Sequence, residues 1–388
     1  MSNNSKNKAG KNIILISNIP TPYRIPLFTA LHAACLKEEM QLTIVFAAKG
    51  YERRQWKIDY DSMKFPYHVL ASGKIQLGSK EGVLFTYSTL TKILRQLKPD
   101  LIISAGFSMA TTRIAVRWYL EQYPPYIIWT ESVDRPGHNR SCLRMIQRKL
   151  LCKGAKSLLV SGSRAADYVQ SLGTKSNKIF RAISTVDTDV FLKKTAKIRT
   201  FGAKRPARKV ILYIGHFTKG KRIDLILHLL QRVLQHYEES ELWLVGSGPE
   251  YPYLKNLSKD LDIVEHVCFW PFQQQENLYD FYALADCFVF PSQYDVWGMA
   301  LVEAMASGLP CLASELAGAA VDLINNGENG YLVDFHRINT AVPILLYLFN
   351  HPQKAKKIGQ TAADSIQQRC HIRNSVAGFM EAIKWSIQ

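Results

Sequence analysis

The sequence predicts an α/β protein built from two doubly wound, Rossmann-like parallel-sheet domains facing a central cleft. Three observations lead there. At 388 residues the chain is long enough for two domains of ordinary size. Short apolar runs alternate along it with segments of helical length, the pattern of parallel strands joined by helical crossovers. A polar, basic stretch at 193–208 lacks apolar periodicity and splits the alternation into two halves.

Taken in order, residues 1–11 are polar and read as a disordered tail. The first domain, 12–192, has candidate strands at 12–17, 42–47, 101–104, 126–130, 157–160 and 178–182. Residues 193–208 read as a linker. The second domain, 209–370, has candidate strands at 209–214, 241–245, 267–270, 287–290, 310–313 and 331–333. Residues 371–388 close the chain with a helix. Doubly wound domains bind ligands outside the carboxyl ends of their strands, so the expected ligand cleft lies between the two.

Composition narrows the class of function. Hydrophobic residues make up 47% of the chain, which fits globular structure rather than disorder. The seven cysteines form no C-x-x-C pair and read as reduced thiols of a cytoplasmic protein. The polar start leads into only a short apolar run, so no secretory signal is read. No stretch approaches the ~20 apolar residues of a membrane-spanning helix. No HExxH, Walker A or Cys/His cluster occurs, and a metal requirement is not indicated. Charge is uneven. Residues 1–200 hold 32 Lys+Arg against 13 Asp+Glu, whereas 201–388 hold 17 against 19. A basic half suits an anionic partner: nucleic acid, a membrane surface or an anionic substrate. No recognition helix or aromatic-and-basic RNA motif accompanies the charge, so a nucleic-acid partner is not expected.

The most telling stretch is PSQYDVWGMALVEAMASGLP at 291–310. It follows an apolar strand and reads as a Pro-Ser turn, a small-residue loop and an Ala-rich helix. Asp295 stands eight positions before Glu303, with Gly298, Met299, Ala300 and Leu301 between them. N–H groups at such a helix start are free donors at the positive end of the helix dipole, a geometry suited to phosphate. The stretch resembles the E-x(7)-E signature of the family-4 (group 1) retaining glycosyltransferases, with Asp295 in place of the first Glu. The resemblance implies the GT-B architecture and a nucleotide-sugar donor. In it, Glu303 would bind the ribose hydroxyls and Asp295 the donor sugar.

Three further elements extend the resemblance. The strand at 210–214 runs into GHFTKGKRIDLI at 215–226, like the family's GRLxxxKGxDxLI. By that likeness Gly215 lets the backbone turn beneath a ligand, and Lys221 meets the donor pyrophosphate. His216 stands where the family most often has Arg, and an Arg would offer a charged fork that His lacks. The run LWLVGSGPE at 242–250 resembles VGxGP, placing Gly246 and Gly248 near the nucleotide. The run VCFWPF at 267–272 resembles the wall beside the base, where Trp270 and Phe272 either stack on it or belong to the core.

The basic half carries SNIPTPYR at 17–24, after the first strand. Its TPYR is a variant found among bacterial surface-polysaccharide transferases, which places Tyr23 and Arg24 on the acceptor side. Glu131 ends another strand and reads either as an acceptor-side group or as a partner of Arg135. Arg140, Arg144 and Arg148 recur at i, i+4 and i+8, on one face of a helix, with Leu143, Ile146, Leu150 and Leu151 around the other. A basic amphipathic helix reads as a membrane-surface element or as a solvated face. The resemblance thus implies a retaining glycosyltransferase of cell-surface polysaccharide biosynthesis, with a UDP- or GDP-sugar donor and no cofactor. Its acceptor would be a glycan or lipid-linked glycan, and its place the inner face of the membrane. A relative that binds nucleotide sugar but is catalytically weak, or a sugar-nucleotide epimerase, are the other readings.

Overall fold

The computed structural model describes residues 10–51, 55–77, 82–121, 123–134, 141–201 and 206–388. Arg135, Arg140 and residues 1–9 of the expected tail lie outside the described residues. The chain divides into two compact units: Met1–Ile183 with Arg373–Gln388, and Ser184–Ile372.

The first unit contains β1 (Asn12–Ser17), α1 (Arg24–Lys37), β2 (Gln41–Phe46), β3 (Tyr67–Val69), β4 (Lys74–Leu77), β5 (Gly82–Phe85) and α2 (Leu90–Leu97). After these come β6 (Leu101–Ala105), α3 (Met109–Glu121), β7 (Tyr126–Thr130), α4 (Cys142–Gly154), β8 (Ser157–Val160), α5 (Ser163–Ser171) and β9 (Ile179–Arg181). Seven described strands form one parallel sheet in the order β3-β2-β1-β6-β7-β8-β9, and β4 pairs antiparallel with β5 apart from it. Ile13, Ile14, Leu15 and Ile16 in β1 and Ile127, Ile128 and Trp129 in β7 are all buried. Continuous burial is what helices on both faces of a parallel sheet impose. The expected strands missed β3, β4 and β5. The first is three residues long with two exposed, so it offers no apolar run to read.

The second unit contains α6 (Thr188–Phe201), β10 (Lys209–Ile214), α7 (Ile223–Leu234), β11 (Ser240–Val245), α8 (Tyr251–Asp260), β12 (Val267–Trp270), α9 (Gln275–Leu284) and β13 (Cys287–Phe290). It continues with α10 (Met299–Ala306), β14 (Cys311–Ser314), α11 (Ala320–Leu323), β15 (Tyr331–Val333), α12 (Ala341–Asn350) and α13 (Pro352–Arg369). Its described sheet is parallel throughout, in the order β12-β11-β10-β13-β14-β15. Numbered within the sheet this is 3-2-1-4-5-6, the Rossmann order. The order reverses between β10 and β13, and such a switch point is where these sheets hold ligands.

The expected linker is corrected in part. Residues 193–201 belong to α6, which begins at Thr188. Exposed Lys193, Lys194 and Lys197 hide the helix from a reading by polarity, while Phe191 and Thr195 bury its other face. Phe191 meets the rings of Tyr279 and Tyr282 at 5.0 and 6.0 Å, so α6 is part of the second unit. The closing helix α14 (Ile372–Ile387) belongs to the first unit. Its Phe379 packs on Trp129 at 5.1 Å, its Trp385 on Phe180 at 5.8 Å, and Ser386 meets Ser157 at 2.8 Å.

Candidate active site

The second unit gathers its candidate residues on loops at the carboxyl ends of β10, β11 and β13. After β10 the backbone passes Gly215, half-buried His216 and the turn Lys219–Lys221 before α7 begins. After β13 it passes Ser292, Asp295 and Trp297 into α10. Gln293 N–H donates to Gly220 O at 3.0 Å and ties the two loops together. Across that tie Lys221 Nζ is paired with Asp295 Oδ2, and the ammonium also stands 5.5 Å from the Phe290 ring. The next loop braces Asp295 from behind. Gly318 N–H donates to Asp295 O at 3.0 Å and Ala319 N–H to Trp297 O at 2.7 Å. Sequence reasoning missed this brace, because 315–319 carries no charge pattern that marks it.

Gly298 caps α10 with φ +105, and a Cβ there would stand 2.9 Å from the Phe290 ring. Leu301 N–H already donates to Gly298 O at 3.0 Å, so it is not a free donor as the sequence suggested. Met299 and Ala300 precede that first bond, and their N–H groups are the ones the helix start presents.

Glu303 follows on the next turn of α10. The buried Tyr282 hydroxyl donates to Glu303 Oε2 at 2.8 Å. The carboxyl keeps partial access to solvent, yet the protein around it pushes its pKa up from 4.5 to about 7, while the Tyr282 hydrogen bond pulls it down. A carboxylate poised near neutrality with one donor already in place can accept hydrogen bonds from a diol. Tyr282 was not among the expected site residues. Its signal is weak in sequence, since it lies on another helix 21 positions away.

The glycine loop after β11 lies against the β10 loop. Gly246 has φ +148, and a Cβ on it would stand 1.9 Å from Gly215 O. Phe217 N–H donates to Ser247 O at 2.8 Å. Trp270, at the end of β12, is 41% exposed and meets Phe281 and Trp243 edge-on at 5.3 and 6.0 Å. Phe272 is half-buried on the segment that follows. Tyr213 Oη, Ser292 Oγ and Trp297 Nε1 are buried without a hydrogen-bond partner among the described residues. Arg222 is paired with Asp224 at 2.9 Å.

The first unit gathers a second cluster where its strand order also reverses. Arg24 opens α1, with its N–H on Thr21 O at 3.0 Å. Its guanidinium lies 4.5 Å from the Trp129 ring, 3.3 Å from Ser17 Oγ and 3.5 Å from Glu131 Oε1. Tyr23 packs edge-on against Trp56 at 5.8 Å. Glu131 is thus brought to Arg24, a partner 107 positions away. The arginines of α4 do not share one exposed face. Arg144 is exposed, but Arg148 donates to the Tyr168 hydroxyl and stands 5.0 Å from the Phe107 ring. Leu143, Ile146 and Leu150 are exposed instead, and of the helix's four leucine and isoleucine side chains only Leu151 is buried. The described residues hold no group of three or more His, Cys, Asp or Glu placed to bind a metal ion.

Comparison with known proteins follows the same division. Residues 194–365 match the family model of the glycosyl transferases group 1. An uncharacterized glycosyltransferase of Haemophilus influenzae is 27% identical over 289 residues, 74% of this chain and 77% of its own. The N-acetyl-alpha-D-glucosaminyl L-malate synthase of Bacillus anthracis is 26% identical over 53% of each chain. A GDP-mannose-dependent alpha-mannosyltransferase of Corynebacterium glutamicum is 29% identical over 66% of this chain and 60% of its own. The last two matches thus span little more than half of those relatives. Among solved structures, Anabaena Alr3699/HepE in complex with UDP superposes with a TM-score of 0.73 at 16% identity, covering 96% of this chain and 99% of that one. The lipopolysaccharide outer core galactosyltransferase WaaB in its apo form gives 0.69 at 16% identity, with the same coverage. At that identity the likeness is one of fold. Over 194–365 the chain is thus similar to the glycosyl transferases group 1, and its two Rossmann-like units share the GT-B fold of those structures.

Proposed function

We propose that this chain is a nucleotide-sugar-dependent glycosyltransferase that acts with retention. The observation that carries the reading is the Lys221–Asp295 pair beside the α10 N-terminus and Glu303, all at the switch point of the second unit. In this scheme Lys221 and the N–H groups of Met299 and Ala300 hold the diphosphate, with His216 beside them. Glu303 accepts from the ribose hydroxyls and Asp295 from the donor sugar. Gly215, Gly246 and Gly248 let the backbone approach, and Trp270 and Phe272 flank the base. Donor binding draws Lys221 toward phosphate and frees Asp295 for the sugar. The bond from the anomeric carbon to the phosphate oxygen breaks as the acceptor hydroxyl bonds to the same face. The hydroxyl proton passes to the leaving phosphate, so the protein's part is positioning and charge stabilisation.

The first unit receives the acceptor, with Tyr23, Arg24 and Glu131 as its contacts. A glycan or lipid-linked glycan at an anionic membrane surface suits its basic character, and cell-surface polysaccharide biosynthesis is the setting we assign. The donor is a UDP- or GDP-sugar. Anabaena Alr3699/HepE has been crystallised with UDP and glucose, and the Corynebacterium relative is named for GDP-mannose. Melting curves with UDP-glucose, GDP-mannose and ADP-glucose test the reading. A ligand present at 100 times its Kd stabilises by about 2.7 kcal/mol. A rise in melting temperature with one of the first two, lost in Lys221→Ala, supports the donor site. No response to any sugar nucleotide overturns it.

A further inference from the structure

Helices α3 and α4 leave an apolar face uncovered. On α4, Leu143, Ile146 and Leu150 are 80%, 54% and 63% exposed. At 3.6 residues per turn they lie within about 60° of arc. The opposite side of the helix is the one the unit engages, through buried Leu151 and Cys152 and through Arg148 on Tyr168. Helix α3 runs alongside in the same direction. Gln147 Nε2 donates to Thr112 Oγ1 at 2.9 Å, and nearly two turns further a Cβ on Gly154 would stand 3.6 Å from the Trp118 ring. These contacts set Leu150 level with Val116, itself 51% exposed, and α3 continues to Tyr119 and Leu120 at 81% and 71%. Exposed apolar side chains scattered singly are ordinary; six on two adjacent helices mark a contact surface.

Charge decides between the partners this face would fit. Lys149 and Lys153 are both exposed and border the apolar arc of α4. The first unit as a whole carries 30 Lys+Arg against 12 Asp+Glu, counted over its two segments. Lysine is depleted from protein–protein interfaces. At a bilayer its stem lies along apolar surface while the ammonium reaches lipid phosphate. An interfacial helix buries Leu and aromatic side chains at the acyl boundary and keeps Lys and Arg at the headgroups.

We propose that the α3–α4 face is a membrane-insertion surface for anionic lipid, with Leu143, Ile146, Leu150, Tyr119 and Leu120 entering the acyl boundary and Lys149 and Lys153 meeting the phosphates. The inference rests on the reading that the chain works at a membrane surface. It changes the mode of contact from an arginine face to an apolar one bordered by lysines.

Sedimentation with vesicles tests it, using phosphatidylcholine mixed with phosphatidylglycerol and phosphatidylcholine alone. The proteins are the wild type, the triple variant L143Q/I146Q/L150Q and the double variant K149Q/K153Q. All five changes are at exposed positions, so melting temperatures stay close to the wild type and report intact folding. The wild type binds the mixed vesicles, and part of that binding survives high salt because it is apolar. The triple variant loses about tenfold or more, including the salt-resistant part. The double variant loses mainly the salt-sensitive part. A triple variant that binds as the wild type does overturns the surface and leaves the membrane reading in place. A wild type that ignores both vesicles overturns the membrane reading itself. A wild-type dimer in light scattering that the triple variant splits, without vesicle binding, makes the face an interface between copies and also overturns the proposal.

Discussion

Glu303 is a carboxyl group that the fold holds against its own ionisation, and its consequences are measurable. Its pKa is about 7 in the folded chain and 4.5 ordinarily. Between those values the folded state retains a proton that the unfolded state has released, so stability falls as pH rises through the window. At about 1.4 kcal/mol per unit the loss amounts to roughly 3 kcal/mol. Glu303→Gln removes the ionisation. We expect it to melt higher than the wild type above pH 7 and to flatten the slope across the window, while binding the donor more weakly by about 1–3 kcal/mol. Melting curves on both sides of the window and calorimetric titration with the nucleotide check the two effects separately. Tyr282→Phe acts in the opposite sense on the proton. Its hydrogen bond lowers the Glu303 pKa, so its removal raises that pKa further and moves the pH at which donor binding is half-developed upward. An unmoved pH profile would detach Tyr282 from the site. Asp295→Ala should keep nucleoside diphosphate binding, since Lys221 and α10 remain, and lose about 100-fold or more in transfer. Full transfer by that variant would remove Asp295 from the reaction.

At the scale of elements, the loops after β10 and β11 owe their closeness to glycine. A Cβ on Gly246 would meet Gly215 O at 1.9 Å and one on Gly248 would meet Phe217 O at 2.3 Å, with φ +148 and +158. Gly246→Ala should therefore cost roughly 2–5 kcal/mol, the sum of a strained backbone and a forced shift of the neighbouring loop. Urea denaturation followed by a probe in the second unit reads this directly. A change under ~0.5 kcal/mol would mean that the loops part easily. The pattern of a strand followed by G-x-G-P was visible in sequence. The contact with Gly215 was not, because the two glycines meet through the pairing of β10 with β11. Helix α6 shows the reverse case. Its lysines suggested a linker, but Arg199 at its end donates to Ala283 O at 3.2 Å, to Ser307 O at 2.6 Å and to Tyr282 O at 3.0 Å. Those carbonyls at the ends of α9 and α10 are acceptors left over by the helices.

At the scale of the whole molecule, α14 completes the first unit from the far end of the sequence. Phe379, Ala382 and Ile383 are fully buried, and Lys384 reaches Glu38 at 2.8 Å. Ending the chain after Ile372 would expose Trp129 and Phe180 in the first unit and leave the second unit's sheet and loops whole. We expect calorimetry of the shortened chain to lose the transition of the first unit and to retain one that a sugar nucleotide still raises. If the shortened chain melts like the full one, α14 is dispensable to the core. No described helix is long and apolar enough to cross a membrane.

The sequence by itself determined the two parallel-sheet units, the places along the chain of nearly all their long strands and the position of each loop that carries a candidate residue. These are local matters. An apolar run of strand length, a glycine after it and a helix start are written in consecutive residues. Only the tertiary structure decided which groups meet. Glu131 pairs with Arg24, 107 positions away, and Glu303 receives the hydroxyl of Tyr282 from another helix. It also decided which side of α4 faces water. That helix has Leu143, Ile146 and Leu150 on one side and Leu151 with Arg148 on the other, so its periodicity alone admits either side as the buried one. Phe107 and Tyr168, placed by β6 and α5, engage Arg148 and turn the leucines outward.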